Sequence, residues 1–183
     1  MPAEGGQTEV LLAIGSNITP ESNVPRALAL LKESVFIVSV STFYRSAALG
    51  APGQPEFLNG ACRIRTGISA RDLKFDVLRG IEARLGRIRT ADKYAPRAID
   101  FDIALYGNTI VCEPGLHIPD PDIQHRPFLA VPLAEIAPDW VVAGTTTTLR
   151  EIAAGLPIAG LCVDPDVTEA CRRIVAEESR REH

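Results

Sequence analysis

The chain has 183 residues, 46% apolar and 23% charged, a composition that suits one soluble globular domain with a real core. A net charge of −4 argues against a nucleic-acid binder, and no stretch approaches the ~18 apolar residues of a membrane span. Four widely spaced cysteines, Cys62, Cys112, Cys162 and Cys171, contain no Cys-x-x-Cys pair, so free thiols in a reducing compartment are expected. The first residues, Met1 to Gly6, lack the basic and apolar regions of a signal peptide, which points to the cytoplasm.

In chain order, Glu9 to Ile14 is a short apolar run that ends at Gly15-Ser16-Asn17, the pattern of a buried strand entering a turn. Thr19-Pro20-Glu21 reads as an N-cap, a proline at the first helical position and a first-turn acid. Val24, Leu28 and Leu31 form the stripe of the first helix, and Pro25 predicts a start later than the cap. Val35 to Tyr44, rich in β-branched and aromatic residues, predicts one long strand. Ala47 to Pro55 is a proline- and glycine-containing loop. Phe57 to Arg65 is a third strand, with Phe57, Asn59, Ala61 and Arg63 on one face and Leu58, Gly60, Cys62 and Ile64 on the other.

Ser69 caps a second helix, striped by Leu73, Val77, Ile81 and Leu85 and closed by Gly86. A basic loop follows, Arg87, Arg89, Lys93 and Arg97 against Asp92, with Arg84 just before it. The next strand runs to Leu105 or Tyr106, and Gly107-Asn108 predicts a hairpin into Thr109-Ile110-Val111. Residues 114–127 read as loop, Phe128 to Ile136 as a helix closed by Pro138, Trp140 to Val142 as a small strand, and Thr148 to Leu156 as a small helix. Glu169 to Arg181 is a charged helical tail. The order β-α-β-β-α-β predicts an α+β, ferredoxin-like antiparallel sheet, helices on one face and loops over the other. A domain over residues 1–160 with a helical tail over 161–183 is the expected organisation.

The chemistry centres on Ala98-Ile99-Asp100-Phe101-Asp102-Ile103. Alternation puts Ile99, Phe101 and Ile103 on one side of a strand and Asp100 and Asp102 on the other. Two carboxylates on one polar face repel, and a hard cation between them is the simplest remedy. A salt-bridged strand edge is the competing reading. The neighbouring guanidinium groups point to a polyphosphate ligand.

Six segments in order carry a resemblance to the 6-hydroxymethyl-7,8-dihydropterin pyrophosphokinase family. They are Ala13-Ile14-Gly15-Ser16-Asn17; Phe43-Tyr44-Arg45-Ser46; Gln54-Pro55-Glu56-Phe57-Leu58-Asn59; Glu82 with Gly86-Arg87; Pro96 to Asp102; and Arg126-Pro127-Phe128 running into Val131 to Pro138. The resemblance implies transfer of a diphosphoryl group from ATP to the pterin hydroxymethyl oxygen, with release of AMP, in tetrahydrofolate biosynthesis. It implies two magnesium ions on Asp100 and Asp102, and catalytic arginines Arg87 and Arg97. On the pterin side it implies Ser46, Ala47, Leu49, Gln54, Phe57, Asn59 and Phe128, with the pterin between the two phenylalanine rings. On the ATP side it implies Glu82, Arg89, Tyr94, Ile103 and Arg126. The expected partners are these two substrates, with no nucleic acid or membrane, and the protein is expected to be a monomer. The resemblance departs at Asp120, where the family commonly has histidine. The alternative is therefore a paralogue that binds pterin or nucleotide without efficient transfer.

Overall fold

The computed structural model of the chain describes residues 6–48, 53–92 and 95–179. Its central strand is β1 (Thr8–Ser16), which pairs antiparallel with β4 (Phe57–Thr66) on one side and β5 (Asp100–Tyr106) on the other. β4 carries β2 (Phe36–Val40) and β3 (Tyr44–Ser46) on its far edge. The sheet order is β5-β1-β4-β3-β8, where β8 is Cys162–Val163. This is the antiparallel sheet that the β-α-β-β-α-β order predicts. Val10, Leu11 and Leu12 are all fully buried, so both faces of β1 are covered.

α1 (Pro20–Leu31) starts at Pro20, not later. Its first turn is held without Pro25: the Asn23 side chain donates to the Ile18 carbonyl at 2.7 Å and the Thr19 hydroxyl at 3.1 Å. Thr19 occupies the cap position in a left-handed conformation, and its own side chain makes no cap bond. On the same face, α2 (Ala70–Asp72) opens with Ser69 Oγ accepting from the Asp72 amide. A π-helical stretch, Leu73–Leu78, and α3 (Arg79–Arg84) follow without a break. Val10, Leu12, Ile14, Leu58, Ile64, Phe101 and Ile103 meet Leu28, Leu31, Leu73 and Ile81 in one core.

The strand expected over Val35 to Tyr44 is broken between β2 and β3. Ser41 supplies the reason: its hydroxyl takes the Ala61 amide proton at 2.9 Å, so a side chain replaces one rung of the ladder. Glu135 then fixes the break, accepting from the Thr42 amide at 2.8 Å and from the Tyr44 hydroxyl. The hairpin expected after Gly107-Asn108 also forms differently. β6 (Val111–Glu113) pairs with β7 (Leu116–Ile118), not back onto β5. Loop residues 114–127 thus contain β7 and a 3-10 turn at Pro121–Gln124.

The second face carries α4 (Pro127–Ile136) and α5 (Leu149–Ala154), besides loops, in a core of Leu11, Ala61, Leu105, Leu129 and Leu133. The strand expected at Trp140 to Val142 is a single bridge, Val141 to Thr148. The tail helix α6 (Pro165–Ser179) buries Val167 and Cys171 in the first core. Its entry is tied to β3: Asp164 donates its amide to the Phe43 carbonyl at 2.8 Å, and its carboxylate accepts from Arg45.

Gly60 is glycine for want of room: a Cβ there would lie 2.4 Å from the ring of fully buried Phe43. Gly60→Ala is expected to destabilise the fold by about 1–3 kcal/mol, a typical cost of overpacking, measured by urea denaturation.

Candidate active site

Strand register builds the floor of the site. Asp100 pairs with Gly15, which pairs with Asn59, and Asp102 pairs with Ala13, which pairs with Ala61. The two carboxylates are therefore separated from Asn59 and Ala61 by residues with almost no side chain. The space left is a cavity of about 320 Å³. It is lined by the predicted residues Ser46, Ala47, Phe57, Asn59, Arg97, Asp100, Asp102, Arg126 and Phe128. It is also lined by Asp120, the position of departure from the family, and by Ala13, Ile14, Gly15, Gly60, Asp122 and Leu129, which sequence reasoning left out of the site. A Cβ on Gly15 would come within 3.3 Å of Asn59 Oδ1, so the bare backbone is part of the cavity's shape.

The acidic wall is dense with charge pairs. Asp100 accepts from Arg87 through one oxygen and from Arg97 through the other. Burial alone would raise its pKa, but the two guanidinium groups outweigh it and hold the carboxyl below its ordinary value. Glu82, 1% exposed, accepts from Arg87 at 2.7 Å and from the Phe101 amide at 2.8 Å, while Arg89 binds its other oxygen. Glu82, Arg87 and Arg89 all lie outside the cavity lining, with Arg87 reaching it only through its bond to Asp100. The Arg97 backbone is fixed as well: its amide donates to Asn17 Oδ1 at 2.7 Å, and its carbonyl accepts from the amides of Asn17 and Ile18. Ser16 Oγ donates to the Ala98 carbonyl at 2.6 Å. The Gly15-Ser16-Asn17 turn therefore anchors the arginine loop to β1, a role the motif's position after a strand would have signalled.

Gln54 accepts from Asn17 Nδ2 at 3.4 Å, beside the cavity. Asn59 donates to the Ser46 hydroxyl at 3.1 Å. Ile103 lines a second space of about 330 Å³ with Lys74, Asp102, Gly115, His117 and Asp120. Leu49 and Tyr94 fall outside the described residues. Asp120 Oδ1 accepts from the Asp122 amide at 2.8 Å and so caps the 3-10 turn. Its own amide donates to the carbonyl of Ala104, where β5 steps out of register with β1. That irregularity brings Asp120 beside the carboxylate wall.

A family profile described as 7,8-dihydro-6-hydroxymethylpterin-pyrophosphokinase (HPPK) matches residues 11–138. The chain belongs to this family. A relative from Synechocystis, named 2-amino-4-hydroxy-6-hydroxymethyldihydropteridine pyrophosphokinase, is 41% identical over 145 residues, 78% of this chain and 73% of the relative. A Haemophilus influenzae protein of the same name is 39% identical over 134 residues, 72% of this chain and 82% of that one. The solved structure of Plasmodium falciparum HPPK-DHPS with pterin and p-hydroxybenzoate shares the fold, with a TM-score of 0.66 over 84% of this chain at 13% identity. This chain spans 42% of that longer one. Membership makes the protein a transferase of folate synthesis, moving a pyrophosphoryl group from ATP to hydroxymethyldihydropterin. No observation favours the binding-only alternative.

Within the pyrophosphokinase, Asp120 carries a specific electrostatic cost. Burial first, then the charges of Asp102 and Asp122, push its pKa from 3.8 up to about 6. The folded state therefore binds its proton more tightly than the unfolded chain, and stability falls as pH rises from about 4 through about 6. Asp120→Asn, which keeps the cap, is expected to melt higher than wild type at pH 7.5, with the difference closing towards pH 4. Melting both proteins, free of ligands, across that range measures it.

Proposed function

We propose that the cavity bounded by Phe57, Phe128 and Asp100 holds both substrates, with the pterin at the aromatic end and the ATP phosphates against the carboxylate wall. One observation carries this reading: Phe57, Asn59 and Phe128 line the same space as Arg97, Asp100 and Asp102. A flat heterocycle gains from aromatic faces above and below it, and Asn59 offers both a donor and an acceptor to its amide-like edge. Ser46 and Ala47, with Leu49 and Gln54, complete the pterin side. Glu82, Arg89, Tyr94, Ile103 and Arg126 belong to the nucleotide side.

The carboxylate pair fits magnesium. Among the described residues no group of three or more His, Cys, Asp or Glu side chains could hold a metal. Two carboxylates suffice for an ion that keeps water and takes its remaining oxygens from phosphate. Asp100 and Asp102 would hold two such ions, which when bound supply charge neutralisation to the phosphate oxygens.

The residues of the chain do the rest. Arg87 and Arg97, now turned onto Asp100, are drawn to phosphate when it arrives and neutralise charge as the bond to the β-phosphorus reorganises. The pterin hydroxymethyl oxygen bonds to that phosphorus and gives up its proton to solvent, the bond from the β-phosphorus to the oxygen bridging it to the α-phosphorus breaks, and AMP leaves with that oxygen. Asn17 and Ser16 hold the Arg97 loop to the sheet so that its guanidinium acts from a fixed base. The transfer machinery resides in residues 1–160, and β8 and α6 complete its sheet edge and first core. The enzyme works as a cytoplasmic monomer and binds no nucleic acid.

Asp100→Ala and Asp102→Ala should each abolish AMP formation while circular dichroism stays that of the wild type; full turnover in either would remove the metal assignment. Arg97→Ala should lower kcat by roughly 10²–10³-fold, the usual scale for a lost charge partner in the transition state. Phe57→Ala should weaken pterin binding by about tenfold with nucleotide binding unchanged, read by calorimetry, since one stacking face is lost.

A further inference from the structure

Lys74 is 6% exposed, in the π-helical stretch that separates α2 from α3. An ammonium that deep must be paired. Its Nζ donates to the Phe101 carbonyl at 2.7 Å and to Asp102 Oδ1 at 2.6 Å. The first contact serves the fold. β5 is the outer strand of the sheet, and at Phe101 its outward amide is taken by Glu82 and its outward carbonyl by Lys74. Any donor would satisfy that carbonyl. The second contact is of another kind, because Asp102 is half exposed and faces the cavity.

The surroundings of Lys74 are acidic. Asp102 and Asp120 line both the main cavity and the second space beside it, and Lys74 lines that second space with them. The lysine charge acts on Asp120 as well, opposing the repulsion from Asp102 and Asp122. Arg87 and Arg97 both bind Asp100, and Arg126 lines the main cavity but not the second space where Lys74 lies.

We propose that Lys74 is a positioning residue for Asp102 and the fixed counter-charge that lets a nucleotide's phosphates approach the wall formed by Asp102 and Asp120. The inference rests on reading Asp102 as a magnesium ligand. By holding Oδ1, the lysine leaves Asp102 a single oxygen to offer an ion, and so sets which way the carboxylate faces. By standing between two acids, it removes one negative charge from a surface that a triphosphate must meet. The two roles have opposite signs towards cation and anion. A merely structural lysine would affect both alike.

The test uses the full chain and the variants Lys74→Met, Lys74→Met with Asp120→Asn, and Asp102→Ala. Binding of a non-hydrolysable ATP analogue with magnesium is measured by calorimetry, binding of Mn²⁺ alone by electron paramagnetic resonance, and binding of the pterin by calorimetry. Lys74→Met is expected to lose roughly tenfold in analogue affinity, as suits one removed charge, while Mn²⁺ alone binds as well or more tightly and the pterin is unaffected. Adding Asp120→Asn should recover most of the loss, since it removes the acid that the lysine offsets. If Lys74→Met does not fold, Lys74→Gln, whose amide still donates to the Phe101 carbonyl, replaces it with the same expectations. Wild-type analogue affinity in the lysine variant would overturn the proposal. So would a parallel loss of analogue, Mn²⁺ and pterin without rescue. Unchanged Mn²⁺ binding in Asp102→Ala would instead sink the metal reading on which it stands.

Discussion

Asp100 accepts one guanidinium on each of its oxygens, and the site is arranged around that three-charge contact. A carboxylate this enclosed is tolerable only when paired, since removing one partner of a buried pair costs on the order of 3–5 kcal/mol. The contact determines where Arg87 and Arg97 rest, and Glu82 takes a second bond from Arg87 on its other side. Phosphate offers the same arginines a partner of equal geometry and greater charge.

The sheet makes that contact possible by leaving space beside it. Gly15 and Ala13 lie between the carboxylates of β5 and the polar and small residues of β4, so the second face is hollow at one end and filled by α4 at the other. The outer edge of β5 would be open to a further strand. Two charged side chains from the helix beside it, Glu82 and Lys74, take its outward amide and carbonyl instead. The same residues that finish the edge thus load the site with charge.

Alternation in the sequence was enough to read the strands around β1, β4 and β5, because each buries a regular face. The polar face of β5 pointed to a cation, and the spaced arginines pointed to phosphate. Local signals failed where a side chain competes with the backbone. Ser41 interrupts a run whose composition is all strand, and nothing in the run announces that its hydroxyl will meet Ala61. The Gly107-Asn108 turn was recognisable, but the partner of the following strand was not, since β6 prefers β7 across a loop that reads as irregular. Lys74 was hidden for a similar reason: it lies beside Leu73 and off the expected apolar stripe, and a lysine there reads as surface.

By itself the sequence determined the topology, the carboxylate pair, the basic loop and the aromatic positions, because each depends on residue type at a spacing of two or of three to four along one segment. Only the tertiary structure decided which charges pair, that Asp120 shares a space with Asp102, and that a buried lysine bonded to Asp102 lines it with them. Those relations join residues far apart in the chain, and they are settled by register, by the step in β5 at Ala104 and by the widened helical turn at Lys74.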